Sequence, residues 1–387
     1  MNEANVHQNM QSNYYHSGMK ILADKYLYKL DELLPETVEL NRYDPENGLP
    51  ETATDYDALL IRTVTNISTE TLPEAGCLKF IGTATAGFDH VDAEHLKRLG
   101  IAFARSEGCN ANAVGEYVIT ALFRWAEENG IELGKKKVGV IGCGNTGGKV
   151  IGYLQKLGIK SVLYDPPKEE RETSFQSAGL NELLECDILT FHTPLTFSGE
   201  HPTFHMCSSE WLRHKFDLII NTARGGVVDE NALTEAMKRE YVQNYILDVW
   251  ENEPVFEDEI TKKAFIATPH VAGYSKQAKW RASEMVIEEM CRFFGLERNT
   301  RKFEADMINI EINFDEKMTF AGFLWENTNI RYYDEHLRKL IGMKDAEKAR
   351  KFAKLRSETE TRMEYGEIVR LLEEIPENLK PLEIFAR

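Results

Sequence analysis

Short apolar runs alternate with amphipathic stretches along most of the chain. Residues 1–18 are polar and lack a period, which predicts a disordered extension with order beginning near Met19. KILAD (20–24), ALLIRT (58–63), KFIGTAT (79–85) and IAFA (101–104) then read as buried strands. A helix is expected over 112–128, where Val114, Val118, Leu122 and Trp125 recur on one face. KVGVIG (137–142) opens a second series, continued by SVLYD (161–165), DILTFH (187–192), LIINTA (218–223), YILDVW (245–250) and FIATP (265–269). Strands alternating with helices predict an α/β fold with parallel sheets covered on both faces. Two such series predict two Rossmann-like, doubly wound domains. After Leu296 the chain becomes charge-rich. Residues 297–387 are expected to form a mostly helical α+β unit with a strand near 306–314. Its apolar face would carry Leu337, Leu340 and Ile341, as suits a dimerisation domain.

A length of 387 residues leaves room for two or three domains. The net charge of −17, from 63 acidic and 46 basic residues, argues against a nucleic-acid partner. No apolar run reaches the length of a membrane span, so no membrane partner is expected. The N-terminus lacks a basic start followed by an apolar core, so no secretory signal is expected. The six cysteines contain no CxxC pair and read as reduced thiols. Together these features predict a cytoplasmic protein.

The chemistry is concentrated after residue 137. Gly142, Gly144 and Gly147 form a GxGxxG that follows an apolar strand and opens a helix, with Asn145 and Thr146 between the last two glycines. That context makes the motif a dinucleotide site, with the pyrophosphate on the helix N-terminus. Asp165 ends the next strand and can accept from ribose hydroxyls; its charge favours NAD over NADP. Cys143 stands between two glycines at a helix start. It reads either as an activated thiol or, far more simply, as a small loop residue. Arg224 follows a strand and precedes two glycines, Glu253 lies in DVWENEP, and His270 lies in TPHVAGY. Hydride transfer from a 2-hydroxy acid needs such a set. An arginine would hold the carboxylate, a histidine would take the hydroxyl proton, and a glutamate would orient the histidine. Asp89, His90, Asp92 and His95 fit no metal-ligand spacing; no metal is expected, and Asp89 or Asp92 should cap a helix.

VGVIGCGNTG, NTARGGVVDENAL, LDVWENEP and TPHVAGY resemble the motifs of the D-isomer-specific 2-hydroxyacid dehydrogenases, over about residues 19–296. IRTVT (61–65), FIGTATAGFDHVD (80–92) and GCNANAVGEYV (108–118) resemble a branch acting on a phosphorylated substrate and carrying a C-terminal dimerisation domain. The resemblance implies a nucleotide domain, 111–274, inserted into a substrate domain, 19–110 and 275–296, with the active site in the cleft. It implies NAD as cofactor, a homodimer, and a small phosphorylated 2-hydroxy acid as substrate. It makes Arg224, Glu253 and His270 the catalytic trio. Asp248, Gly273 and Thr193 would lie beside the cofactor, and Thr63, Thr85 and Tyr274 would contact substrate. Glu107 stands where the branch has proline, so the turn there should differ. A phosphate at the far end of the substrate needs local cations. Arg62 is the first candidate, with Arg356 or Arg362 reaching across the dimer. Two alternatives remain: a dehydrogenase of a phosphoglycerate- or glyoxylate-type acid, and an NAD-responsive binding protein without chemistry. The intact trio disfavours the second.

Overall fold

The structure is a computed structural model that describes residues 18–303, 312–315, 317–359, 361–372 and 374–386. The expected extension up to residue 17 and residues 306–311 of the expected strand lie outside the described residues.

Two compact units divide the chain. One takes the residues up to Cys109 together with Lys279–Phe303; the other takes Asn110–Ala278 and the described residues beyond Phe303. The first holds a parallel sheet of β1 (Met19–Asp24), β2 (Val38–Tyr43), β3 (Ala58–Ile61), β4 (Phe80–Thr83) and β5 (Ala102–Arg105), in the order β2-β1-β3-β4-β5. The second holds β6 (Lys137–Ile141), β7 (Lys160–Tyr164), β8 (Ile188–Phe191), β9 (Phe216–Asn221), β10 (Val242–Leu247) and β11 (Ile266–Ala267), in the order β11-β10-β9-β8-β6-β7. Both sheets are doubly wound. In each the chain starts inside the sheet, moves to one edge, then crosses back. The crossing points lie between β1 and β3 and between β6 and β8, and such points are where open α/β sheets bind ligands.

Ten of these strands coincide with apolar runs in the sequence. The exception is β2, VELNRY, an edge strand in which the polar Glu39, Asn41 and Arg42 interrupt the apolar residues. An edge strand of this kind shows no continuous apolar run.

The C-terminal extension departs from expectation. Leu337 and Leu340 are buried in the core of the second unit beside Leu247, Trp250 and Phe256, with Ile341 packed against them. The face expected to meet a second subunit is therefore covered by the chain's own nucleotide-binding half. Polar contacts fix it there. Asp334 accepts from the Ala267 N–H at the edge of the sheet, at 2.7 Å, and Arg338 donates to the carbonyls of Thr261 and Ala264, both at 2.8 Å. Arg362 and Glu116, both buried, form an ion pair at 2.6 Å, and Arg362 also donates to the Ala113 carbonyl at 3.0 Å. Arg362 is thus occupied inside its own chain and is not a cation held out to a partner subunit. The described part of the extension is helical, with helices Phe320–Glu326, Ile330–Arg338, Asp345–Glu358 and Tyr365–Leu371.

Candidate active site

At the crossing point of the second sheet, β6 ends in the glycine loop and β8 ends at His192 and Thr193. Gly142 adopts φ 85°, open to glycine at low cost. A side chain at Gly147 would collide with the Gly142 carbonyl oxygen, so the helix Asn145–Lys156 can start this close to the strand only with glycine there. The backbone of His192 lies against the same loop. Its ring is buried, and burial lowers its pKa to about 3, so it packs as a neutral imidazole with Thr190 Oγ1 at 3.0 Å. The Thr193 hydroxyl is buried and has no hydrogen-bond partner. Gly144 faces open space. An open cradle, a helix start and one unsatisfied buried hydroxyl fit a dinucleotide phosphate and its sugar.

Asp165 closes the loop from the end of β7. Its Oδ2 accepts from the Cys143 N–H at 2.7 Å, and its Oδ1 caps the helix Pro166–Arg171 by accepting from the Lys168 N–H at 3.0 Å. The carboxylate therefore shapes the loop, and its remaining lone pairs stay open to a ribose. Lys168 Nζ donates to the Cys143 carbonyl at 2.8 Å. Cys143 itself is buried, and burial pushes its thiol up to about 12. The simple reading of this cysteine holds; it is not an activated nucleophile.

The three polar residues after the glycine loop sit on successive strand ends. Asn221, last in β9, holds the following turn by accepting from the Ala223 N–H and donating to the Arg224 carbonyl, both at 3.0 Å. Gly225 packs so tightly on the Trp250 carbonyl that any side chain there would clash. The Arg224 turn is thereby pressed onto the segment leading to Glu253. Beyond β10, the buried carboxylate of Asp248 accepts from Thr268 Oγ1 at 2.6 Å, the Val271 N–H at 2.8 Å and the Ala272 N–H at 2.9 Å. Burial raises its pKa, against the pull of His270 and these donors. Asp248 ties down the loop that carries His270. His270 has φ 57°, unusual for a residue with a side chain, and its N–H donates to the Asp248 carbonyl at 2.6 Å. With the backbone so fixed, His270 Nδ1 lies 2.8 Å from Glu253 Oε2, while Glu253 Oε1 accepts from the Trp250 N–H at 2.9 Å. Burial works against a charged Glu253, but His270, the Trp250 N–H and Arg356 together outweigh it and hold the carboxyl below its ordinary value. Gly273 backs onto the Asn110 side chain.

In the first unit, the crossing point carries Arg62 and Thr63. Arg62 does not stand as a free cation. Its Nε and Nη2 bond the fully buried Asp24 carboxylate at 2.8 and 3.2 Å, and its guanidinium lies over the Tyr26 ring at 5.0 Å. Thr63 is exposed, and the Thr85 hydroxyl donates to the Gly87 carbonyl at 2.7 Å. Lys279 lies close enough to Arg62 for the two charges to be felt; burial first and Arg62 second lower its pKa. Sequence reasoning passed over Lys279. A signal was present: the helix Lys276–Phe294 carries Lys276, Lys279 and Arg281 in its first turns, where the helix dipole disfavours cations. The Asp89–His95 stretch is structural. Asp92 caps the helix Ala93–Leu99 and His95 Nε2 pairs with the Leu72 carbonyl at 2.7 Å. His90 is held neutral by burial, with a pKa near 4, at 2.9 Å from Thr83 Oγ1. Glu107, in place of the expected proline, pairs with Arg105.

The family model described as D-isomer specific 2-hydroxyacid dehydrogenase, NAD binding domain, matches residues 115–272. The chain belongs to the D-isomer specific 2-hydroxyacid dehydrogenase family and is an NAD-dependent oxidoreductase. It is 35% identical over 357 residues to the erythronate-4-phosphate dehydrogenase of Marinobacter nauticus, covering 89% of this chain and 93% of that one. It is 38% identical over 287 residues to the enzyme of the same name from Bacteroides fragilis, covering 73% and 82%. Among solved structures, the NAD+-bound 3-phosphoglycerate dehydrogenase of Entamoeba histolytica superimposes with a TM-score of 0.59 at 25% identity, over 74% of this chain and all of that one.

Proposed function

We propose that this protein oxidises 4-phospho-D-erythronate to 2-oxo-3-hydroxy-4-phosphobutanoate with NAD, a step of pyridoxal phosphate synthesis. The observation that carries the chemistry is the His270–Glu253 pair at 2.8 Å, on a loop braced by Asp248. The substrate is supported by relatives of that name along up to 93% of their length.

NAD, when bound, would supply the acceptor for the C2 hydride. Gly142, Gly144, Asn145, Thr146 and Gly147 would hold its phosphates, Asp165 the adenosine ribose, and Thr193, Asp248 and Gly273 would lie toward the nicotinamide. Because Glu253 occupies Nδ1, His270 has Nε2 left to take the C2 hydroxyl proton as the C2–O bond becomes a carbonyl. Glu253 stabilises the imidazolium so formed. Arg224 pairs with the substrate carboxylate and polarises the C2 oxygen. Thr63, Thr85 and Tyr274 contact the substrate. Arg62 and Lys279 supply the positive charge for its phosphate. The working form is a homodimer in the cytoplasm, a location supported by six cysteines that form no disulfide. Its contact lies elsewhere than the Leu337–Leu340 face, which the chain covers itself.

The test is an assay of NAD reduction on a panel of phosphorylated and plain 2-hydroxy acids. Preference for 4-phosphoerythronate is expected. Equal or better turnover of a plain acid would replace this reading with that of a sibling dehydrogenase.

A further inference from the structure

The C-terminal extension brings one residue to Tyr274, on the loop that carries His270. Arg356 lies in the helix Asp345–Glu358, far along the chain from any motif of the site. Its guanidinium sits 5.7 Å from the Tyr274 ring centre and bonds the Tyr274 hydroxyl. The other side of the guanidinium packs on Phe352 at 5.9 Å. Its Nε is buried and has no hydrogen-bond partner.

We propose that Arg356 is a positioning residue of this dehydrogenase, a cation that the extension supplies in the same chain to hold Tyr274 on the loop that carries His270. The proposal rests on the reading of His270 and Glu253 as the proton-transfer pair. An arginine suits the task because its planar fork can stack on one ring, donate to a hydroxyl, and still act as a fixed charge. Burial opposes the charge of Arg356; Tyr274, Glu253 and Asp248 more than offset that and keep it protonated. Seen from Glu253, the cations are His270 and Arg356, and Glu230 is an acid that feels its charge. Loss of Arg356 leaves His270 as the named cation facing that carboxylate. It also frees the Tyr274 ring, which follows His270 by four positions on the same loop. The extension thus becomes part of the site's electrostatics as well as part of the fold.

The experiment uses the full-length protein and two independent readouts. The first is the titration of the Glu253 carboxyl by NMR in protein labelled at glutamate carboxyls, with Glu253→Gln to assign the signal. The second is kcat and KM against pH. Arg356→Met should raise the Glu253 midpoint and lower kcat by roughly 10–100-fold, with NAD affinity unchanged. Arg356→Lys should restore most of the midpoint by charge alone, but less of kcat, because it lacks the fork. Leu355→Ala disturbs the packing of the same helix without removing either ring that Arg356 lies against, and should move neither readout. An Arg356→Met protein with the parent's midpoint and kcat overturns the proposal, as does a Leu355→Ala protein that reproduces both changes. If the parent oxidises no 2-hydroxy acid, the reading of the pair as a dehydrogenase couple falls, while the Glu253 midpoint still decides whether Arg356 acts on it.

Discussion

Arg62 holds the buried carboxylate of Asp24 through two hydrogen bonds, at 2.8 and 3.2 Å, across the point where the first sheet changes direction. The pair joins the ends of β1 and β3 and leaves Nη1 of Arg62 for other partners. Arg62→Ala would strand a buried charge. We expect a loss of about 2–4 kcal/mol in stability, measured by denaturant unfolding, and loss of activity on all substrates, deeper on the phosphorylated one, whose phosphate also loses a cation.

Lys279 separates phosphate binding from that structural role. Lys279→Met should lower kcat/KM for 4-phosphoerythronate by about 10–100-fold while leaving a plain 2-hydroxy acid within a few-fold. Equal losses on both substrates would take Lys279 out of the phosphate site.

Arg224→Lys keeps the charge and removes the two-pronged geometry. A fall in kcat/KM of at least about 10²-fold is expected, or roughly 3 kcal/mol of transition-state stabilisation. A fully active lysine variant would remove Arg224 from the chemistry.

Asp165 both caps a helix and faces the expected ribose. Asp165→Asn keeps an oxygen for the Lys168 N–H and removes the charge, but sets its NH2 against the Cys143 N–H, so NADP should gain on NAD with some fall in melting temperature. Asp165→Ala should shift preference too, but at about 1 kcal/mol of stability for the lost cap. A parent enzyme that already prefers NADP would refute the reading of this carboxylate.

Glu230 offers a test of stability against pH. Burial raises its pKa from 4.5 to about 7. Between those values the folded protein keeps a proton that the unfolded chain has lost, so stability falls as pH rises through that window, by about 3 kcal/mol in the limit. Its Oε1 accepts from the Glu251 N–H at 2.9 Å, and a glutamine oxygen can do the same. Glu230→Gln should therefore flatten the slope. It should match the parent near pH 4.5 and melt higher than the parent at pH 8.

Some of this protein is written in short stretches of sequence. The glycine loop is local: strand, turn and helix start lie within residues 137–156, so their order alone identified a dinucleotide site. The strand ends carrying Arg224, Glu253 and His270 were legible for the same reason. Apolar runs marked ten of eleven strands because most of those strands lie inside a sheet and are buried on both faces, while the edge strands β5 and β7 still carry apolar side chains; β2 was passed over because it is a polar edge.

Tertiary structure decided the rest, wherever two distant residues share one interaction. Periodicity showed that Leu337, Leu340 and Ile341 form an apolar face, but an apolar face does not name its partner; only the fold placed it on the chain's own core. Composition showed that Arg62, Arg356 and Arg362 carry charge. Their partners, Asp24, Tyr274 and Glu116, lie 38, 82 and 246 positions away, and these pairings set one arginine to brace a sheet, one to approach the catalytic loop and one to anchor the extension. A charge is a property of a residue, whereas its use depends on what burial brings beside it.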